Sequence, residues 1–421
     1  MAQPPLDWSH KGLPAAETTV SLDDVAARGW NVLREDLMLP AAVLFESALT
    51  HNSAWMRRFT ALAGVKLCPH GKTTMSPQLF ERQLADGAWG ITAATVGHVR
   101  IYRRHGIGRI FFANQLVGRQ NIAYVLDELR ADPGFDFYCL VDSGAAVDIL
   151  ERALAAAPIG RPLQVLIELG MQGGRNGLRT DADALDLARR IAASKHLVLR
   201  GIEAFEGIVQ GKPTDEATSA VAGLLGRMVA VARHCAGESL FTGKPLLTAG
   251  GSAFFDMVAA LAKTAPGEFY IVLRSGCYLA HDSEMYEKLA QTMLTRSPEA
   301  QSLGEGLKHA LELWAYVQSR PEPGRVIAGL GKRDASFDVT LPKPIAWSRP
   351  SQGTRHPLDA HRTVRLDDQH AYLDVPPESP LQVGDLIAFG ISHPCTTFDR
   401  WRALYLVDDA LTVTGAVHTF F

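Results

Sequence analysis

The chain has 421 residues, a hydrophobic fraction of 47% and a charged fraction of 21%, which are typical of a globular protein with more than one domain. Its formal net charge of −3 gives no electrostatic basis for binding nucleic acid or an anionic membrane. No apolar run reaches the about 18 residues of a membrane span, and the first residues lack the basic and apolar regions of a secretory signal. Five scattered cysteines form neither a disulfide framework nor a CxxC pair, so we expect a cytoplasmic protein.

After an N-terminal arm over residues 1–38, short apolar runs alternate with segments of helical spacing. The runs that predict strands are PAAVLFES, VKLCPHGK, WGITAAT, RIFFANQ, FDFYCLVDS, PLQVLIELG, LVLRGIEAFEG, PLLTAGGS and EFYIVLRSGCY. Helical patterns lie between them; one of these helices opens with Ser76 as N-cap and Pro77 in the first position. About eight such units over roughly 250 residues predict a (β/α)₈ barrel of parallel strands over residues 39–286. An open doubly wound sheet is the alternative.

The alternation stops after Tyr286, where KLAQTMLTRSPEAQSLGEG reads as polar and irregular. The remaining segments alternate apolar and polar residues, with Gly, Pro and Asp at the breaks. This pattern predicts a C-terminal antiparallel β domain, a small barrel or a sandwich, over residues 287–421.

The first candidate functional residue is Lys72, in the stretch CPHGKTTMSP. It follows an early barrel strand, and barrel enzymes carry their chemistry at the carboxyl ends of the strands. A lysine that is paired with another side chain at the barrel mouth would also explain the position of Lys72. However, a lysine in a crowded, partly dry mouth suits Schiff-base chemistry, and lysine is the anchor of pyridoxal 5'-phosphate (PLP).

Three later segments fit a PLP site. TAGGS follows a strand and precedes a helix, where backbone N–H groups bind phosphate, although such a sequence is also an ordinary turn. RSGCY ends the last strand, near the usual phosphate position of a barrel. In GIEAFEG, either Glu203 or Glu206 is a candidate partner for the PLP ring nitrogen, because a carboxylate inside a barrel is costly unless it is paired.

Together, PHGKT, IELGMQGGRNG, TAGGS, RSGCY and SHPCTTFD resemble the D-serine dehydratase and D-threonine aldolase group of alanine-racemase-like, fold-type III PLP enzymes. The resemblance extends from about residue 39 to the end of the chain. It implies a PLP-binding barrel, a C-terminal β domain and a homodimer. It further implies that Lys72 carries PLP, that Arg175 lies near the phenolic oxygen of PLP, and that Glu203 faces its ring nitrogen. Residues matching positions around the phosphate or the ring edge are Gly250, Gly251, Ser252, Gly276 and Tyr278.

His393 and Cys395, in HPC, form a candidate metal site. Residues two apart on an extended segment share a face, and an imidazole with a thiolate can bind Zn²⁺ while leaving positions open. Alone this pair is a weak signal. The resemblance implies a divalent metal here, beside the β-hydroxyl of the substrate; dehydratase-like members resemble H-x-C and aldolase-like members H-x-D. Thiolate favours zinc over Mn²⁺ or Mg²⁺.

The predicted function is a PLP- and metal-dependent lyase that converts a β-hydroxy D-amino acid, such as D-serine, into a 2-oxo acid and ammonia. Only the resemblance indicates the D configuration. A D-threonine aldolase and a PLP-carrier protein without turnover are the alternatives. The substrate stays open among D-serine, D-threonine and D-threo-3-hydroxyaspartate.

Overall fold

The N-terminal arm is a short ordered segment that leads into the first long strand. A computed structural model describes residues 3–209 and 214–421. Strands β1 (Leu6–Asp7) and β2 (Thr19–Val20) pair in antiparallel orientation, and β3 follows at Ala41–Phe45. Between β2 and β3 lie three 3₁₀ turns, Leu22–Asp24, Ala26–Arg28 and Val32–Arg34.

Eight parallel strands then form the predicted barrel. They are β4 (Lys66–Leu67), β5 (Ile91–Ala93), β6 (Arg109–Gln115), β7 (Asp136–Val141), β8 (Leu163–Leu169), β9 (Leu197–Ala204), β10 (Leu246–Ala249) and β11 (Tyr270–Leu273). Pairing runs in the order β4-β11-β10-β9-β8-β7-β6-β5. The N–H groups of Trp89 and Thr92 donate to the carbonyls of Leu67 and Pro69, at 2.6 and 2.8 Å, and so join the β5 side of the sheet to β4. The barrel is therefore closed, and the open-sheet alternative is excluded.

The barrel strands bury both of their faces, as parallel strands covered by helices do. One face joins the large core beneath the helices, while the other packs into a separate cluster that includes Phe111, Leu140, Leu166, Leu246 and Val272. The surrounding helices are α1 (Glu46–Ala63), α2 (Pro77–Ala85), α3 (Val96–Arg104), α4 (Arg119–Ala131), α5 (Gly144–Ala156), α6 (Asp181–Ala192), α7 (Thr214–Gly237), α8 (Phe255–Ala259) and α9 (Leu261–Thr264). Within the described ranges, no helix combines the length and the apolar character needed to cross a membrane.

The segment after the barrel is helical, although we expected it to be irregular. It contains α10 (Met285–Arg296) and α11 (Pro298–Ser302). Met293 is the one fully buried residue that α10 contributes, so the helix lacks the apolar periodicity by which it would be recognised.

The C-terminal domain is built on antiparallel strands, as predicted. It comprises β12 (Leu311–Glu322), β13 (Arg325–Ala328), β14 (Lys343–Arg349), β15 (Thr354–Pro357), β16 (Arg362–Leu366), β17 (Ala371–Asp374), β18 (Leu386–Gly390), the short helix α12 (Pro394–Phe398), β19 (Ala403–Val407) and β20 (Val413–His418). The main path of the sheet is β15-β14-β18-β12-β13-β17-β16, and β19 pairs with β20.

Strand β3 corrects the expectation that PAAVLFES opens the barrel. It pairs in antiparallel orientation with β12 and in parallel orientation with β19, so it completes the C-terminal sheet. Four of its five residues are buried. A short run buried on both faces has the same apolar pattern in a barrel and in an antiparallel sheet, so its sequence does not distinguish the two.

The aromatic packing of α1 against the barrel gives a test of the fold. Phe59 is fully buried, stacks on Trp55 at 5.3 Å between ring centroids, and meets Phe255 edge-on at 5.1 Å. We expect Phe59→Ala to lower the free energy of unfolding by about 3–5 kcal/mol, because it leaves a cavity in this cluster. Leu62→Ala is the matched control on the same helix, because Leu62 is 57% exposed. Denaturant titration of both variants measures the difference, and equal losses would contradict the packing.

Candidate active site

A cleft of about 380 Å³ lies between the carboxyl ends of the barrel strands and the C-terminal domain. It brings together Lys72, Arg175, Glu203, Gly251, Ser252, Gly276, His393 and Cys395, which are eight of the ten predicted site residues. Gly250 and Tyr278 are not among the lining residues. Tyr278 is buried in the large core beneath the helices.

Lys72 lies in a 3₁₀ turn, Gly71–Thr73, just beyond β4. Its side chain is exposed to the cleft and, among the described residues, makes no hydrogen bond or ion pair. The alternative of a paired lysine at the barrel mouth therefore does not describe this side chain. Two neighbouring imidazoles are held neutral: burial, reinforced by the positive charge of Lys72, lowers the pKa of His70 and brings that of His98 to about 4.

Gly276 allows the loop after β11 to contact the turn that carries Lys72. A Cβ atom at this position would lie 2.5 Å from Thr73 Oγ1 and 2.6 Å from the His70 carbonyl oxygen. The His70 N–H also donates to the Arg274 carbonyl at 3.2 Å. The loop and the lysine turn are thus held together in a way that no larger residue permits.

Glu203 lies on β9 and is almost fully buried, with one oxygen paired to the equally buried Arg274. Its other oxygen, Oε2, has no partner among the described residues. Burial raises the pKa of Glu203 to about 8, although Arg274 acts in the opposite direction. Glu168, its neighbour in register on β8, adds to this increase. The placement of Glu203 against the PLP ring nitrogen stays a prediction, and Arg274 competes for the same carboxylate.

Glu206 has a different environment from the one that we considered for it. Its two carboxylate oxygens accept hydrogen bonds from the N–H groups of Gly250 and Gly251, at 2.9 and 2.6 Å. These two N–H groups of the predicted phosphate cradle are therefore already paired. The N–H groups of Ser252 and Gly276 have no partner among the described residues, and both residues line the cleft.

Arg175 lies at the cleft on the loop that follows β8, with its guanidinium 5.0 Å from the centre of the Phe205 ring. The next residue, Asn176, donates to Gln115 Oε1 at 2.7 Å, and Gln115 in turn donates to Glu168. The loop is thus fastened to the strands β6 and β8, which positions Arg175.

The candidate metal donors come from the start of α12. His393 is extended but Pro394 begins a helix, which corrects the expectation of an extended HPC segment. The physical reason is that proline fits the first position of a helix. The two side chains nevertheless share the cleft. His393 Nδ1 lies 2.6 Å from Asp338 Oδ2, a carboxylate–histidine contact of the kind that orients metal-binding imidazoles, and it leaves Nε2 available as a donor.

The sequence interpretation missed the role of Asp338 and the placement of Cys277. Cys277 lies in the RSGCY motif and is buried, and its Sγ lies 3.6 Å from Cys395 Sγ. The sequence signal that could have identified Cys277 as a site residue is its position in the RSGCY motif. Across the described ranges, no three His, Cys, Asp or Glu side chains are already arranged around one metal position.

The cleft fits PLP in its chemistry. It offers a free lysine amine, unpaired N–H groups for an anion, and a buried carboxylate oxygen without a partner. An imidazole oriented by Asp338 beside a thiol is also a donor set suited to zinc.

Sequence comparison assigns the barrel to a known family. Residues 46–264, more than half of the chain, match the profile described as "Alanine racemase, N-terminal domain", and residues 310–407 match that of a "Putative serine dehydratase domain". The chain belongs to the alanine-racemase-like family of fold-type III PLP enzymes. This membership confirms both the predicted resemblance and the prediction of a PLP-dependent enzyme.

Curated relatives and a solved structure agree with this family. The D-threonine aldolase of Arthrobacter sp. is 26% identical over 87% of each chain. The D-threo-3-hydroxyaspartate dehydratase of Delftia sp. is 31% identical over 44% of this chain and 47% of its own. The crystal structure of D-threonine aldolase from Filomicrobium marinum superposes with a TM-score of 0.75 at 23% identity, covering 93% of this chain and 97% of that one. All three relatives are lyases, and the predicted enzyme class is confirmed.

The exposed amine of Lys72 leads to a direct test of cofactor attachment. We expect purified protein loaded with PLP to be yellow, and borohydride to fix the cofactor onto the peptide that contains Lys72. Lys72→Ala should lose this linkage, as measured by absorbance and peptide mass. Lys66→Ala is the matched control, because Lys66 is an exposed lysine on the adjoining strand β4. The same reducible linkage in the Lys72→Ala protein would contradict the assignment.

Proposed function

We propose that the protein is a PLP- and metal-dependent dehydratase of β-hydroxy D-amino acids, with D-serine as a substrate. The observation that carries the proposal is the entry of His393 and Cys395 into the same cleft as Lys72. A soft thiolate donor favours zinc, and a Lewis acid beside the substrate serves the departure of a β-hydroxyl group, which otherwise leaves poorly.

Lys72 has the central role among the residues of the chain. We propose that its Nζ takes the proton from Cα of the substrate and that Arg175 and Glu203 orient the ring of the cofactor. PLP, when bound, supplies an electron sink for the charge left at Cα. A zinc ion held by His393 and Cys395 would supply Lewis-acid activation of the β-hydroxyl.

The overall reaction balances without an oxidant or reductant. Loss of the α-proton and the β-hydroxyl releases one water, and hydrolysis of the resulting enamine consumes one water. D-Serine thus yields pyruvate and ammonia. The homodimer and the cytoplasmic location, which the sequence also predicts, stay predictions.

A D-threonine aldolase is the second candidate. It is favoured by the length of the match to the Arthrobacter aldolase, which spans 87% of this chain, whereas the match to the Delftia dehydratase spans 44%. The H-x-C pair supports the dehydratase instead. Both candidates use a β-hydroxy substrate and the same cleft, so the distinction depends on which bond at Cα is broken.

Incubation with D-threonine separates the two candidates. We expect 2-oxobutanoate and ammonia, because proton removal from Cα followed by hydroxyl loss keeps the Cα–Cβ bond intact. Chromatography of the products, with L-threonine as the stereochemical control, measures this outcome. Glycine and acetaldehyde would identify an aldolase and contradict the proposed reaction.

Metal removal tests the Lewis acid. Chelation should abolish ammonia release from D-serine while the absorbance of the Lys72-bound cofactor is retained, and added Zn²⁺ should restore the activity. His393→Ala should behave like the chelated enzyme, whereas His370→Ala, at an exposed position in the same domain, should not. Dehydration of D-serine at the normal rate by metal-stripped protein would refute the metal assignment.

A further inference from the structure

Two thiols from different domains meet in the cleft. Cys277 follows the last barrel strand and is 4% exposed, whereas Cys395 belongs to α12 of the C-terminal domain and is half-buried. Their sulfur atoms are 3.6 Å apart. Thr73, next to Lys72 in sequence, contacts both thiols, with its Oγ1 at 3.5 Å from Cys395 Sγ and 3.9 Å from Cys277 Sγ.

The distance between the two sulfurs is too long for a disulfide and is compatible with a shared metal ion. A disulfide requires a separation of about 2.0 Å, so the sulfurs would have to approach each other by about 1.6 Å. Two thiolates on one tetrahedral zinc, each at about 2.3 Å from the metal, are separated by about 3.8 Å. The observed distance is that of a thiol–thiol contact; it is close to the edge of a zinc tetrahedron and far from a covalent bond.

The coordination chemistry of zinc calls for a third protein donor here. Catalytic zinc sites use three protein ligands and keep the fourth position for water or substrate. His393 and Cys395 supply only two. Asp338 already binds His393 Nδ1, so it acts through the imidazole and leaves the third position unfilled.

We propose that Cys277 is a third protein donor to the metal that His393 and Cys395 hold, an assignment that rests on the proposed metal site. The metal would then link the loop after β11 to α12, and so connect the barrel to the C-terminal domain. Because Thr73 touches both thiols, the fourth position lies next to the turn that carries Lys72. The described residues do not yet converge on one metal position, so binding requires side-chain rotation; the two sulfurs, however, need not approach each other.

The sulfur count at the metal tests this proposal without measuring activity. Full-length, PLP-loaded protein is stripped of metal, reloaded with one equivalent of Zn²⁺, and examined by zinc X-ray absorption. We expect two sulfur donors at about 2.3 Å in the unaltered protein and one in Cys277→Ser. Zinc affinity should fall by at least about tenfold in the variant, as measured by competition with a chromophoric chelator.

Matched variants make the result specific. Cys139→Ser should keep two sulfur donors, because Cys139 is a buried barrel cysteine that does not line the cleft. Cobalt substitution gives a second readout, since the thiolate-to-cobalt absorption should fall by about half in Cys277→Ser. The number of sulfur donors measured in the unaltered protein still tests the proposal if a variant fails to fold.

Each outcome decides the proposal. One sulfur in the unaltered protein, with zinc binding lost in Cys395→Ser, overturns the role of Cys277 and leaves the proposed metal site intact. Zinc binding that His393→Ala and Cys395→Ser leave unchanged overturns both. A disulfide between Cys277 and Cys395 that persists in the zinc-loaded protein, detected as a mass lower by two hydrogens, also overturns the third donor.

Discussion

The buried charge at the barrel mouth is the constraint on which the site depends. Arg274 is 2% exposed and pairs with Glu203, and it also donates to Thr248 Oγ1 at 2.9 Å and to the Ala204 carbonyl at 3.2 Å. A guanidinium removed from water is costly unless it is paired, and here both terminal nitrogens of Arg274 are bonded, while Nε has no partner among the described residues. These contacts tie together the ends of β9, β10 and β11, and the loop that continues from Arg274 contains Ser275, Gly276 and Cys277. The placement of the loop beside Lys72 follows from that pairing.

A second buried carboxylate, that of Glu206, serves a different purpose. Glu206 satisfies the N–H groups of Gly250 and Gly251, which otherwise would be orphaned at the end of β10. Burial raises its pKa, whereas these two N–H groups favour its charged form. The mouth thus holds a paired glutamate that shapes a loop and a second one, Glu203, that keeps an oxygen free at the cleft. Glu203 and Glu206 are three residues apart in the sequence, and their different partners give them different roles.

Much of this arrangement can be predicted from local sequence patterns, and the predictions that were wrong have physical causes. The barrel strands and Lys72 were readable because strand–helix alternation and the position after a strand are local signals. Strand β3 was misassigned because burial on both faces erases its pattern, and α10 was missed because it buries little. Cys277 and Cys395 are 118 residues apart, and their contact depends on how the two domains meet. The spacing of residues along the sequence therefore does not predict this contact.

The contact between the two domains is what the proposed reaction requires. In the proposed reaction, the barrel supplies a lysine that acts at Cα, and the C-terminal domain supplies an imidazole and a thiol that act at Cβ. These carbons are adjacent in the substrate, so the two sets of groups must lie within a few bond lengths of each other. Thr73 meets this requirement, because it follows Lys72 directly and touches the Cys395 thiol at 3.5 Å. A PLP carrier without turnover needs no such convergence, whereas a lyase acting on a β-hydroxy amino acid needs both sets of groups in one cleft.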